Sequence, residues 1–166
     1  MLNRYALADY QLTVKVSSNI GIPGISGESF TIGGPADASY NSEGSQGGYI
    51  GDITISRKAA MWSTESDYTG GYVHVKNLDR TGTARVSINQ LSDNVIRLNT
   101  IFKLCEARGT SENEALTLIV TNSATNKVVA TCTDCRIVKQ PDQTFSTNPN
   151  MQPWEFTCGI VDILYE

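Results

Sequence analysis

Apolar side chains recur at every second position through most of the chain, the period at which a strand turns one face to a core and the other to water. In Gln11–Ser17 the apolar set is Leu12, Val14 and Val16. Ile53 and Ile55 alternate with Asp52, Thr54 and Ser56, and Val73 and Val75 alternate with Tyr72, His74 and Lys76; the matching patterns predict that these two strands pair. Ala84, Val86 and Ile88 oppose Thr83, Arg85, Ser87 and Asn89, and Leu116, Leu118 and Val120 oppose Thr117 and Thr121. Near the end, Trp154, Phe156, Cys158 and Ile160 stand against Glu155 and Thr157. A seventh strand, about Val128 to Lys139, changes phase: Val128, Ala130 and Cys132 share one face while Cys135 and Ile137 continue from the other, so a bulge near Asp134 is needed to keep the register.

One segment has the helical period instead. From Asp93 to Ala107, Val95, Leu98, Ile101, Phe102 and Cys105 recur every three or four residues. Ser92 is placed to cap the first turn, Leu91 and Ile96 occupy the two positions of a hydrophobic staple, and Gly109 follows where a left-handed terminator is expected. Asn122–Asn126 joins two β-rich runs as a hairpin. Gly33 to Gly48, with Gly33, Gly34, Gly44, Gly47 and Gly48, and Pro141 to Pro153 read as long polar loops, either mobile surface or segments with a use. The pattern predicts a mainly β fold, a β-sandwich or partly open barrel with one flanking helix at 93–107.

Length and charge narrow the classes. With 166 residues the chain is the size of one domain, and its thirteen Lys plus Arg against seventeen Asp plus Glu give a net charge of -4 without a run of like charges, which disfavours a basic nucleic-acid module. No window approaches the roughly 20 apolar residues of a membrane helix, and Met1–Tyr10 lacks a secretory pattern, so a soluble chain made in the cytoplasm with reduced thiols is expected.

The usual chemical signatures are missing. His74 is the single histidine and falls on the polar side of a strand; there is no Gly-x-Ser-x-Gly elbow; Gly44-Ser45-Gln46-Gly47-Gly48 lacks the Lys-Ser/Thr of a phosphate loop; and carboxylates are scattered. Cys132-Thr133-Asp134-Cys135 has zinc-like spacing, but it lies within a strand and no second pair accompanies it, while Cys105 and Cys158 fall on apolar faces. The expectation is no enzyme, no cofactor and no metal.

What remains is surface. The runs Asp52–Ser56, Tyr72–Lys76 and Thr83–Asn89 are guarded neither by proline nor by charge clusters, and their polar sides carry Thr and Ser, which suits a partner or an aqueous channel. Arg57–Gly71 mixes Met61, Trp62 and Tyr68 with polar residues, either an interface anchor or a loop folded back over its own core.

Several runs resemble the small structural proteins that form the tail tubes of contractile-tailed bacteriophages. They are Gly48-Tyr49-Ile50-Gly51-Asp52-Ile53-Thr54-Ile55-Ser56-Arg57, Met61-Trp62-Ser63-Thr64-Glu65 and Lys76-Asn77-Leu78-Asp79-Arg80-Thr81-Gly82-Thr83. Ala6-Leu7-Ala8-Asp9-Tyr10-Gln11-Leu12, Pro141-Asp142-Gln143-Thr144-Phe145 and Trp154-Glu155-Phe156-Thr157-Cys158 extend the likeness over most of the chain. The resemblance implies a single tail-tube-like domain over 1–166 with an N-terminal arm (1–9), a long hairpin loop (57–71) and a C-terminal arm (160–166). It implies hexameric rings stacked into a hollow tube inside a sheath, in a virion assembled in the host cytoplasm. The implied partners are further copies of itself, the tail sheath protein, a baseplate initiator and a tail terminator, with DNA passing through unbound and no membrane. On that reading Arg57, Met61, Trp62, Tyr68 and Tyr72 are inter-subunit contacts, and Thr54, Ser56, Thr83, Ser87 and Asn89 face the lumen or an interface. Alternatives are the tube of a phage-derived contractile injection or secretion system, a carbohydrate-binding β-sandwich using Tyr40, Tyr49, Trp62 and Tyr68, and a small zinc protein.

Overall fold

The computed structural model describes residues 10–16, 29–33, 50–90, 92–107, 115–148 and 150–164. Among them are nine strands and one helix: β1 (Tyr10–Val16), β2 (Ser29–Ile32), β3 (Ile50–Arg57), β4 (Trp62–Ser66), β5 (Tyr72–Lys76), β6 (Gly82–Asn89), α1 (Asp93–Ala107), β7 (Leu116–Asn122), β8 (Lys127–Ile137) and β9 (Met151–Ile163). Seven strands form one antiparallel sheet in the order β2-β1-β7-β8-β9-β6-β3, and β4 with β5 makes a separate ribbon. The sheet does not close, so β2 and β3 are its edges. It nevertheless curls: Ile53 and Ile55 of β3 share an apolar cleft of about 500 Å³ with Tyr10 of β1, although four strands stand between them in the ladder. The mainly β, partly open architecture with one flanking helix is the one the alternation predicts.

The core lies on one face of this sheet. Leu12, Val14, Val86, Ile88, Leu116, Leu118, Trp154 and Phe156 are all buried there, as their alternation requires. Burying a side chain such as Phe156 is worth about 1.5–3 kcal/mol. The indole N–H of Trp154 and Oε1 of Gln152 are buried without a hydrogen-bond partner among the described residues. α1 closes the core with Val95, Leu98 and Ile101. Ser92 Oγ accepts from the amide of Asn94 at 3.3 Å, the capping bond the sequence predicts. Ile96 is 66% exposed, and its staple partner Leu91, like Gly109, falls outside the described residues. Most of the loop Gly33–Gly48 does too. The loop Pro141–Asn150 is held by side-chain hydrogen bonds, Gln152 Nε2 to Gln143 Oε1 at 2.9 Å and Asn150 Nδ2 to Ser146 Oγ at 3.1 Å.

Two expectations need correction. The strand of Ile53 and Ile55 does not pair with that of Val73 and Val75: β3 pairs with β6, Thr54 opposite Arg85 and Ser56 opposite Thr83, whereas β5 pairs with β4. Alternation fixes which face a side chain takes, not which strand it meets. β4 lacks apolar alternation and reads as loop, yet it is one tight turn from β5 and takes the pairing. Ile160, moreover, leaves the face of Trp154, Phe156 and Cys158; it is 40% exposed, and Val161 is buried in its stead.

The cause is a slip shared by two strands. On β8 the buried positions step from Cys132 to Cys135, and on β9 from Cys158 to Val161, so each strand carries one residue more than a period of two allows. The slips lie in register, with Cys132 opposite Val161 and Cys135 opposite Cys158. Against β7 the ladder shifts between Leu116 and Leu118, and Asp134 takes the left-handed conformation at φ 54°. Gly159 gives the space, since a Cβ there would lie 3.2 Å from that of Asp134. Next to the slip a Cβ on Gly82 would overlap the carbonyl oxygen of Ser56 and come within 2.8 Å of Val161 Cγ2. Bulges bend a strand and increase its twist, which fits a sheet that curls.

Asp134→Val, forcing a β-branched side chain into the left-handed region, is expected to cost about 1–2 kcal/mol in chemical denaturation. Asp134→Gly, which keeps the conformation and loses only the exposed pair with Arg136, should stay within about 1 kcal/mol of the parent.

Candidate assembly surface

Between β3 and β6 the chain leaves the sheet as a hairpin over residues 58–81. Every residue of β4 and β5 is exposed. The register places Trp62, Thr64 and Ser66 opposite Lys76, His74 and Tyr72 on one face, and Ser63 and Glu65 opposite Val75 and Val73 on the other. On the first face Lys76 Nζ lies 5.7 Å from the Trp62 ring centre, Thr64 Oγ1 and His74 Nδ1 are 2.9 Å apart, and the Tyr72 and His74 rings are 5.3 Å apart.

Carboxylates organise both turns. At the tip Asp67 Oδ1 accepts from the Thr69 hydroxyl at 2.6 Å and from the amides of Thr69 and Gly71, both at 2.9 Å, while Gly70 supplies φ 89°. The Thr69 hydroxyl, then the Gly71 amide, hold the Asp67 carboxyl below its usual value of 3.8. After β5, Asp79 Oδ1 accepts from the Thr81 hydroxyl and amide, and these bonds lower its pKa in the same way.

The root is fastened to β9. Arg57 Nε and Nη2 donate to the Val161 carbonyl at 3.1 and 3.0 Å, Arg80 Nη2 donates to Asp162 Oδ1 at 3.0 Å, and the Val161 amide donates to the Arg80 carbonyl at 3.0 Å. Arg57, assigned by resemblance to a neighbouring subunit, thus spends its guanidinium on its own chain. Met61, Trp62, Tyr68 and Tyr72 are exposed, Tyr68 completely so; Val73 and Val75, whose alternation predicts an inward face, are exposed as well, and Leu78 joins them. The Asp67-Tyr68-Thr69-Gly70-Gly71 run was the legible sign of this hairpin.

The polar candidates gather elsewhere. Thr54 and Ser56 on β3 and Thr83, Ser87 and Asn89 on β6 share the side of the sheet away from the core, with Ser56 Oγ 3.0 Å from Thr83 Oγ1. Arg85 stands there opposite Glu155 of β9, and Thr83 opposite Thr157. β9 continues paired with β8 as far as Ile163, so the stretch from Ile160 assigned to an arm is sheet over those residues. Residues 1–9, Tyr40 and Tyr49 lie outside the described residues. His74 sits on the exposed hairpin, and the residues lining the 500 Å³ cleft include no histidine, cysteine or carboxylate.

Among the described residues the exposed ribbon, the two outermost strands β2 and β3 and a hydroxyl-rich outer face are the candidate surface. A family profile described as the bacteriophage PhiTE tail tube protein matches residues 27–165. The chain belongs to this phage tail tube family. Membership makes it a structural component of a tail. Solved structures similar to this tail tube family member include the sheath/tube terminator of an extracellular contractile injection system, PVC, in its extended state, with TM-score 0.52, 11% identity and 98% of each chain covered. The tube-terminating cap of the anti-feeding prophage AFP has TM-score 0.50 and 12% identity, over 100% of this chain and 95% of that one. A chain of the PVC sheath–tube complex in the extended state has TM-score 0.50 and 10% identity, over 98% and 93%. At such identities the likeness is one of fold. Comparison with curated proteins gives no match.

The tail tube hairpin yields a direct test. Because the Asp67 carboxyl is held below 3.8, its contribution to the tip is complete above that pH and is lost as acid protonates it. Asp67→Ala should speed amide exchange at Thr69 and Gly71 and expose the tip to protease while leaving the melting temperature of the sheet unchanged; Asp67→Asn, which retains an oxygen acceptor, should restore much of the protection.

Proposed function

We propose that this chain is the repeated subunit of the inner tube of a contractile phage tail. Six copies close into a ring, rings stack head to tail, and the resulting cylinder conducts DNA during ejection while a sheath contracts around it. The observation that carries the reading is the exposed hairpin. A two-stranded ribbon is marginal in water by itself, and this one presents Met61, Trp62, Tyr68, Tyr72, Val73 and Val75 with no buried side chain in either strand. Burial against the adjacent subunit or ring stabilises it.

Among the described residues β2 and β3 end the sheet, which fits the same assembly, since strands of neighbouring copies completing a sheet remove unpaired amides and carbonyls. Of the two places open to Thr54, Ser56, Thr83, Ser87 and Asn89, the bore suits them. Hydroxyls and amides with Arg85 facing Glu155 form a wall without excess positive charge, and DNA slides past it without the counter-ion release that drives binding. The role is mechanical, not catalytic. Sheath subunits, a baseplate initiator and a terminator are the partners of such a tube. The contractile injection systems among the similar folds support a second reading, in which the same tube delivers proteins instead of a genome.

Negative-stain electron microscopy at increasing protein concentration, with light scattering in parallel, is expected to reveal rings or hollow filaments of uniform diameter; a dispersed monomer at high concentration would overturn the proposal. Met61→Ser with Trp62→Ser should raise the concentration needed for assembly at least tenfold and leave the monomer's melting unchanged, because both side chains are more than half exposed, at 51% and 53%.

A further inference from the structure

Three of the four cysteines meet inside the sheet, brought together by the slip in β8 and β9. Without it Cys132 and Cys135 would point to opposite sides; with it both are buried, as is Cys158. Cys135 and Cys158 are directly opposed in the ladder, and Cys135 Sγ donates to Cys158 Sγ at 3.0 Å. Opposed antiparallel residues have Cα atoms about 4.5–5.5 Å apart, within the roughly 4.4–6.8 Å that a disulfide spans. Cys132 faces Val161 across the ladder, on the same buried face as the other two thiols. The neighbouring thiols, Cys135 first, pull the Cys132 pKa below the ordinary thiol value against the effect of burial, and Cys132 in turn pushes Cys135 upward. Among the described residues no group of His, Cys, Asp or Glu is arranged to hold a metal ion, so the chemistry open to this cluster is that of sulfur with sulfur.

The geometry points to an intrachain disulfide between Cys135 and Cys158 that forms when the protein meets a peroxide and ties β8 to β9 beside the slip. One sulfur attacks a peroxide oxygen, the O–O bond breaks, and the departing hydroxide takes a proton to become water, leaving a sulfenic acid. The second sulfur attacks the first, the S–O bond breaks and a second water leaves. Two thiols lose two electrons and hydrogen peroxide becomes two waters. Since the three thiols are buried, the reaction waits on local opening of the strand pair and is slower than modification of the half-buried Cys105. A tail component made in a reducing cell and working outside it would pass from the dithiol to the cross-linked form; that setting rests on the proposed function, while the cross-link itself does not.

The test uses the full chain treated with hydrogen peroxide, then denatured, alkylated and mapped by non-reducing peptide mass spectrometry. The expected product is the peptides of Cys135 and Cys158 joined, 2 Da lighter than the two reduced peptides together, whatever Cys105 carries. Closing a loop of this length should raise the melting temperature by roughly 5–10 °C, reversibly on addition of dithiothreitol. Cys132→Ser should retain the cross-link and Cys158→Ala should lose it. Four alkylatable thiols after treatment, or a bridge joining any other pair, would overturn the assignment, and the parent chain alone decides this even if a variant fails to fold. The outcome is independent of whether the protein forms tubes.

Discussion

The architecture turns on keeping the inner faces of β8 and β9 apolar across a shared break in their pleat. A strand that steps by one extra residue normally throws the rest of its side chains to the wrong face. Here both strands step together, so the ladder between them stays in register, while the ladder to β7 shifts between Leu116 and Leu118 and the pairing with β6 ends at Cys158, before the step. Asp134 accepts a left-handed backbone and Gly159 leaves it space. The result keeps Trp154, Phe156, Cys158 and Val161 of one strand, and Ala130, Cys132 and Cys135 of the other, on a single buried face. Added bend at mid-sheet is also what brings β3 round toward β1, leaving a cleft instead of a closed barrel.

That same region roots the hairpin. Val161, turned inward by the slip, presents its carbonyl to Arg57 and its amide to the carbonyl of Arg80, and Asp162 beside it receives the guanidinium of Arg80. The ion pairs are solvent-exposed, and such pairs are individually worth about 0–1 kcal/mol. Their effect is on direction more than on stability: one backbone bond and two arginines fix where the ribbon leaves the sheet, whereas Asp67 and Asp79 fix its turns. A ribbon so placed, with aromatic and β-branched side chains on its surface, is ordered locally but left without burial. In the proposed tube its remaining stabilisation comes from another chain.

Much of this was legible in the chain, and the misses have physical reasons. Period two identified the inner faces of β1, β6, β7 and most of β9, because a sheet buried on one side leaves no other sign so regular. The phase change at Asp134 was visible since apolar residues flank it on both sides. Its counterpart in β9 was not: Ile160 is itself apolar, and in a sequence an isoleucine continuing the alternation looks the same as one displaced to the surface. β4 was missed because Trp62-Ser63-Thr64-Glu65-Ser66 has no face to bury, and with β4 absent β5 was given the wrong partner. Val73 and Val75 illustrate the limit well, for alternating valines signal a buried strand in a monomer and an interface strand in an assembly alike.

The thiol cluster and the hairpin root follow from one displacement, which bears on how load would cross the molecule. In the proposed tube, force applied to the ribbon by an adjacent subunit would enter β9 through the Val161 carbonyl and Asp162, in the part of β9 that pairs with β8 from Phe156 to Ile163, whereas its pairing with β6 runs from Met151 to Cys158. Shear between β8 and β9 is resisted by ladder bonds and by side chains that interlock at the slip, where Cys135 faces Cys158. A covalent bridge at that position would lie three residues from the carbonyl that receives Arg57, on the route from the exposed ribbon to the buried sheet. Stiffness there is felt at the surface because the sheet offers the hairpin no second attachment of comparable hydrogen bonding among the described residues: Lys58 to Thr81 closes only the hairpin's own base.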